Sequence, residues 1–121
     1  MKTHVSRLTD FANAVHSANE KWWVNIETGE PLKRNIGELL MLVNTELAEA
    51  LEGHRKSLMD DHLPQFKMFD VEIVDALIRL FDIAGAMIPD LDAIYVAKME
   101  YNANREDHKI ENRRKADGKK Y

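Results

Sequence analysis

Glu72-Ile73-Val74-Asp75-Ala76-Leu77-Ile78-Arg79-Leu80-Phe81-Asp82 decides the fold of this chain. Projected as a helix at about 100° per residue, the stretch is apolar almost all the way round. Its charged residues, Glu72, Asp75, Arg79 and Asp82, fall within an arc of roughly 80°. An ordinary surface helix keeps a far wider polar face, so the spacing predicts a central helix covered by neighbours on most sides. Carboxylates on such a helix need partners, because burying an unpaired charge is costly. A second acidic pair, Glu46 and Glu49, stands upstream on another expected helix. Two carboxylate pairs on two helices suggest a divalent cation between them.

Outward from this stretch, hydrophobic periodicity predicts four helices. The first runs from about Val5 to Trp22, on Leu8, Phe11, Ala12, Val15 and Ala18. Trp22 and Trp23 close it and cannot face the same way. One belongs to the core, or one stacks on a nucleobase. Glu27-Thr28-Gly29-Glu30-Pro31 is a turn. Asn35-Ile36-Gly37-Glu38 reads as a capping box, with Asn35 as cap and Glu38 reaching back. The second helix is expected from Ile36 to His54. Glu46 and Glu49 lie three apart on one of its faces, as a solvated acidic edge or as ligands. Asp60-Asp61-His62 reads as solvated loop. The third helix runs from about Phe66 to Met87, where Pro89 ends it. The fourth runs from Leu91 to Arg105 with Asp90 as cap. Lys98, Asn102 and Arg105 continue the line of Leu91 and Ile94. Spacing alone reads them as snorkelling side chains at a bundle edge.

The fold expected is therefore all-α and four-helix-bundle-like, with antiparallel helices joined by short loops. Residues 1–105 form the domain, and 106–121, dense in charge, form a flexible tail. A formal net charge of −4 lowers the weight of a nucleic-acid binder. The absence of cysteine removes disulfides and thiolate metal sites. No apolar run is long enough to span a membrane, and Met1-Lys2-Thr3-His4-Val5-Ser6-Arg7 has no apolar signal core. These features predict a cytoplasmic protein that binds neither nucleic acid nor membrane.

The carboxylates narrow the chemistry. Di-iron sites in helical bundles need Glu-x-x-His motifs. None of His4, His16, His54, His62 or His108 has a Glu three residues before it. Glu46, Glu49, Glu72 and Asp75 form an all-oxygen set, which suits Mg²⁺ or Mn²⁺. Mg²⁺ commonly bridges a few carboxylates to substrate phosphates, and Lys98 and Arg105 then complement the remaining phosphate charge.

At this point the sequence resembles the MazG-like all-α nucleoside triphosphate pyrophosphohydrolases, as a small single-domain member. The resemblance rests on Glu46-Leu47-Ala48-Glu49 and Glu72-Ile73-Val74-Asp75. Gly37-Glu38-Leu39-Leu40-Met41-Leu42-Val43 leads into the first motif. Lys98-Met99-Glu100-Tyr101-Asn102-Ala103-Asn104-Arg105 resembles the family's Lys-x-x-Tyr-Asn-x-x-Arg element, and Gly118-Lys119-Lys120-Tyr121 its ending. Thr45 stands before Glu46 where many relatives carry a second Glu. Glu106-Asp107-His108 replaces a segment that often begins with Pro.

The resemblance implies hydrolysis of an NTP or dNTP between the α- and β-phosphates, to a nucleoside monophosphate and pyrophosphate. It implies Glu46, Glu49, Glu72 and Asp75 as ligands of Mg²⁺, with Mn²⁺ as a substitute. Glu49 is our choice of base. Lys98, Asn102 and Arg105 would hold phosphates or sugar, and we add a stack of Trp22 or Trp23 on the base, with Trp23 as our choice. A homodimer or homotetramer is implied as well. The rival expectation is a catalytically inactive helical oligomer, acting as a nucleotide-binding sensor or interaction protein.

Overall fold

The structure, a computed structural model, describes residues 7–121. It is all-helical: α1 is Leu8–Ala18, α2 Ile36–Lys56, α3 Met68–Met87, α4 Leu91–Ala103 and α5 Ile110–Arg113. Tight 3₁₀ turns occupy Glu20–Trp22 and Glu106–His108. Among the described residues there is no strand, only isolated bridges between Val24 and Pro31 and between Met59 and Lys67. No described helix is long and apolar enough to cross a membrane. The expected start of the first helix at Val5 lies outside the described residues. That helix ends at Ala18, before the tryptophans, and the chain tightens into the 3₁₀ turn.

Local chemistry sets the ends of α2. Asn35 Oδ1 accepts the Glu38 N–H at 3.0 Å, the cap expected from sequence. The reciprocal half of the box is not formed among the described residues. Glu38 instead lies 3.6 Å from Arg34, one turn earlier. At the other end the Leu58 N–H reaches the Gly53 carbonyl at 3.0 Å, and the Ser57 N–H that of His54 at 3.4 Å. This is a Schellman closure, and it puts Ser57 at φ 52°, where glycine is usual.

The described residues fall into two compact units, 10–89 and 90–121 with 7–9. In the first unit α2 and α3 form an antiparallel hairpin. A Cβ on Gly53 would lie 2.8 Å from Met68 Cβ, so glycine lets the last turns of α2 meet the first turn of α3. On the far end of α3, a Cβ on Gly85 would lie 2.7 Å from His16 Cβ and press on the Ala12 carbonyl. Glycine there admits α1, which also sets Phe11 edge-on to Phe81, ring centres 4.8 Å apart.

The buried apolar residues are Ala12, Leu39, Val43, Ala50, Ala76 and Ala84. Small side chains at the contacts bring helix axes close but leave little large apolar surface inside. Within the single chain α3 is not covered on most sides: Val74, Leu77 and Leu80 are exposed, as are Leu40, Leu47 and Leu51 on α2.

In the second unit the expected cap Asp90 makes no side-chain cap bond. The starts of α1 and α4 cap each other instead, through Asp92 and Thr9. The Asp92 carboxylate accepts the Leu8 N–H at 2.7 Å, and the Asp92 N–H donates to Thr9 Oγ1 at 3.1 Å. Residues 106–121, expected as a tail, hold local bonds. Lys109 pairs with Glu106 at 2.6 Å, and the Arg113 guanidinium donates to the carbonyls of Lys119 and Lys120.

Candidate metal centre and adjoining cleft

The α2–α3 hairpin brings the acidic motifs level. Gly53 abuts Met68; Glu46 lies seven residues before the one and Asp75 seven after the other. Equal steps along antiparallel helices end side by side. Glu46, Glu72 and Asp75 each offer a carboxylate oxygen, and these oxygens lie within 4.8 Å of one another. Glu72 is only 7% exposed, and its Oε2 is buried with no hydrogen-bond partner. Burial, first, and then the adjacent carboxylates of Glu46, Glu49 and Asp75 push the Glu72 carboxyl up to about 8. Asp75 is raised as well, by burial and then by Glu46, with Arg79 opposing.

Glu49 stands outside this trio. It is exposed, on the same side of α2 as Glu46, and acts on Glu72 as a neighbouring charge. Arg79, one turn beyond Asp75 on α3, donates its Nε–H to Glu46 Oε1 at 3.0 Å. Asp60, read from sequence as solvated loop, is buried. Its Oδ2 accepts the N–H groups of His62 and Leu63 at 3.0 and 2.9 Å, which folds the α2–α3 connection. Its charge adds to those that raise Asp75. Asp61 and His62 are exposed, as expected.

The donor set fits a hard divalent cation. It is carboxylate only, and a buried carboxylate oxygen without a hydrogen-bond donor is a position that a cation satisfies. Like charges gathered this closely oppose one another until something positive joins them.

Beside the trio opens a cleft of about 420 Å³, within the size range of small-ligand sites. Glu46, Asp75, Arg79 and Asp82 are among its charged lining residues, and Leu39, Leu42, Ile78 and Ile83 among its apolar ones. Asn19, Trp22 and Arg34 complete it from the α1–α2 connection. That connection is an ordered loop. Asn25 Oδ1 accepts the Glu27 and Thr28 N–H groups, Gly29 sits at φ 73°, and the Leu32 N–H returns to the Trp23 carbonyl.

The adjacent tryptophans divide as sequence requires. Trp23 turns inward, with its Nε1 3.0 Å from both oxygens of Asp82 and its ring edge-on to His16. Trp22 is 59% exposed and lines the cleft. Arg34 ties the pair together: its Nη1 donates to the Trp22 carbonyl at 2.9 Å, and its guanidinium lies 5.6 Å from the Trp23 ring centre.

Lys98, Asn102 and Arg105 belong to the other unit. There Arg105 forks onto both oxygens of Asp107, at 3.0 and 2.7 Å. Lys98 and Arg105 approach the Tyr101 ring at 5.0 and 5.6 Å. Asn102 is half-buried on the same helix.

No protein-family model, curated protein or solved structure gives a significant match to this chain.

Sequence reasoning misread Asp60 as solvated and passed over Arg34. Asp60 carried a signal: Asp followed by two residues whose N–H groups it can accept is a local turn acceptor. Arg34, just before a helix cap, carried none.

Proposed function

We propose that the chain is a Mg²⁺-dependent nucleoside triphosphate pyrophosphohydrolase of the MazG-like kind. The observation that carries the reading is the convergence of Glu46, Glu72 and Asp75 around an unpartnered buried oxygen of Glu72. The cleft that shares Glu46 and Asp75 with this cluster supports it.

In this reading Glu46, Glu72 and Asp75, joined by Glu49, hold the cation. A bound Mg²⁺ supplies charge stabilisation at the phosphoryl oxygens and acidifies a water. Glu49 accepts the proton of the attacking water; its exposure beside Glu72 suits a base that must exchange protons with solvent. Water adds one P–O bond as the α–β bridge P–O bond breaks, and pyrophosphate leaves. Trp22 stacks on the base. This changes the stacking residue from Trp23, whose indole is engaged by Asp82. Lys98, Asn102 and Arg105 are proposed as phosphate or sugar contacts from the motif alone. A second copy of the chain covers the apolar surface of Leu47, Leu51, Val74 and Leu77, giving a homodimer or a dimer of dimers.

The test is pyrophosphate release from a panel of NTPs and dNTPs, with Mg²⁺ and with EDTA, beside a Glu49→Ala variant. Release that needs the metal and is lost in the variant supports the enzyme. Binding of nucleotide with no release from any member of the panel supports the inactive sensor instead.

A further inference from the structure

Resting on that reading of the metal centre, we propose that Arg79 is the counter-cation of the metal-free carboxylates. It holds Glu46 until a divalent cation binds, and the freed guanidinium then takes a phosphate in the cleft.

Arg79 follows Glu72 by seven residues and Asp75 by four, so all three share one face of α3. The ion pair then crosses from α3 to α2, with Nε 3.0 Å from Glu46 Oε1. Its members differ in access. The Glu46 side chain is 12% exposed and that of Arg79 is 40% exposed, so the guanidinium is the partner with solvent beside it. Glu46 is also one of the trio whose oxygens converge. A guanidinium and a divalent cation compete for the same carboxylate, and their charges repel at this range. One of them leaves, and the one on a long, part-exposed side chain is Arg79.

Its destination follows from chemistry. A guanidinium stays charged and presents forked N–H donors that match phosphate oxygens. Arg79 lines the cleft, and no hydrogen bond among the described residues engages its terminal nitrogens. The hand-over couples the two ligands: the metal frees Arg79 for phosphate, and phosphate keeps Arg79 away from Glu46. Such coupling is reciprocal.

The rival role is structural, a staple between α2 and α3. The two roles differ in sign. The experiment titrates Mn²⁺ alone, followed by the paramagnetic signal of the free ion, into the native chain, Arg79→Ala and Arg79→Lys. It then titrates imidodiphosphate, a non-hydrolysable pyrophosphate analogue, at saturating Mn²⁺. Hand-over predicts that Arg79→Ala binds Mn²⁺ about tenfold more tightly and imidodiphosphate about tenfold more weakly. Arg79→Lys recovers part of the imidodiphosphate affinity. Unchanged or weaker Mn²⁺ binding by a folded Arg79→Ala overturns the proposal. So does tighter Mn²⁺ binding with unchanged imidodiphosphate affinity. If neither the native chain nor the variant takes up Mn²⁺, the metal reading itself falls, which is a separate result.

Discussion

Trp23 donates its indole N–H to Asp82 across the cleft end of α3, 3.0 Å from each carboxylate oxygen. The same carboxylate meets His16 Nδ1 at 2.8 Å. One acidic side chain thus ties the α1 helix and the loop after it to α3, and leaves Trp22 as the tryptophan that faces the cleft.

The two tryptophans therefore respond oppositely to substitution. Trp23→Phe removes a hydrogen bond to a charged, mostly buried group and is expected to cost about 1.5–3 kcal/mol of stability. Trp22→Ala removes an exposed ring and is expected to stay within about 0.5 kcal/mol of the native chain. Urea unfolding checks both. On the proposed function, Trp22→Ala raises KM for nucleotide, because the base loses its stacking surface, while stability is kept.

Glu72 makes metal-free stability depend on pH. Its carboxyl is raised to about 8 in the fold from an ordinary 4.5, so the fold prefers the neutral form. The associated stability is fully present below about 4.5 and is lost as pH rises through about 8. Asp75 is shifted in the same direction. In EDTA, Glu72→Gln is expected to remove most of this loss and to exceed the native chain by about 1–2 kcal/mol at alkaline pH. Thermal melts across pH 5 to 8.5 compare the two. A native chain that loses no more stability than the variant would contradict the burial argument.

Ser57 offers a gain in the opposite sense. It holds φ 52° in the closure of α2, a conformation that costs a side-chain-bearing residue and not glycine. Ser57→Gly is expected to stabilise the chain by about 0.5–1 kcal/mol, read from the urea midpoint.

Gly85 gives the reverse. A methyl there would meet His16 Cβ at 2.7 Å and the backbone of Ala12, so α1 must move off α3. Gly85→Ala is expected to cost about 1–3 kcal/mol through overpacking. His16 and Trp23 shift with α1, and a change in tryptophan fluorescence should accompany the lost stability.

The helices of the hairpin were legible because α2 and α3 are long and periodic, and because Asn35 marks a start. The convergence of Glu46 with Glu72 and Asp75 needed only one further fact, that a short connection makes neighbours antiparallel. What escaped depends on backbone geometry that periodicity does not encode. Asp60 is buried because its loop folds around its carboxylate. Adjacent tryptophans must diverge, but the choice between them is set by Asp82, 59 residues from Trp23. The first helix stops at Ala18 although apolar spacing continues to Trp22, and the chain tightens there into a 3₁₀ turn. What covers α3 is not legible for a different reason. A narrow polar stripe shows that a helix is mostly apolar, and not which molecule covers it.

The proposed function turns on cleavage between the α- and β-phosphates at these carboxylates. The most direct measurement is ³¹P NMR of NTP and dNTP solutions incubated with the chain and Mg²⁺, each repeated in EDTA. Pyrophosphate and nucleoside monophosphate are expected together, only with the metal. Orthophosphate and nucleoside diphosphate as products, or no product from any nucleotide with a folded chain that binds Mg²⁺, would contradict it.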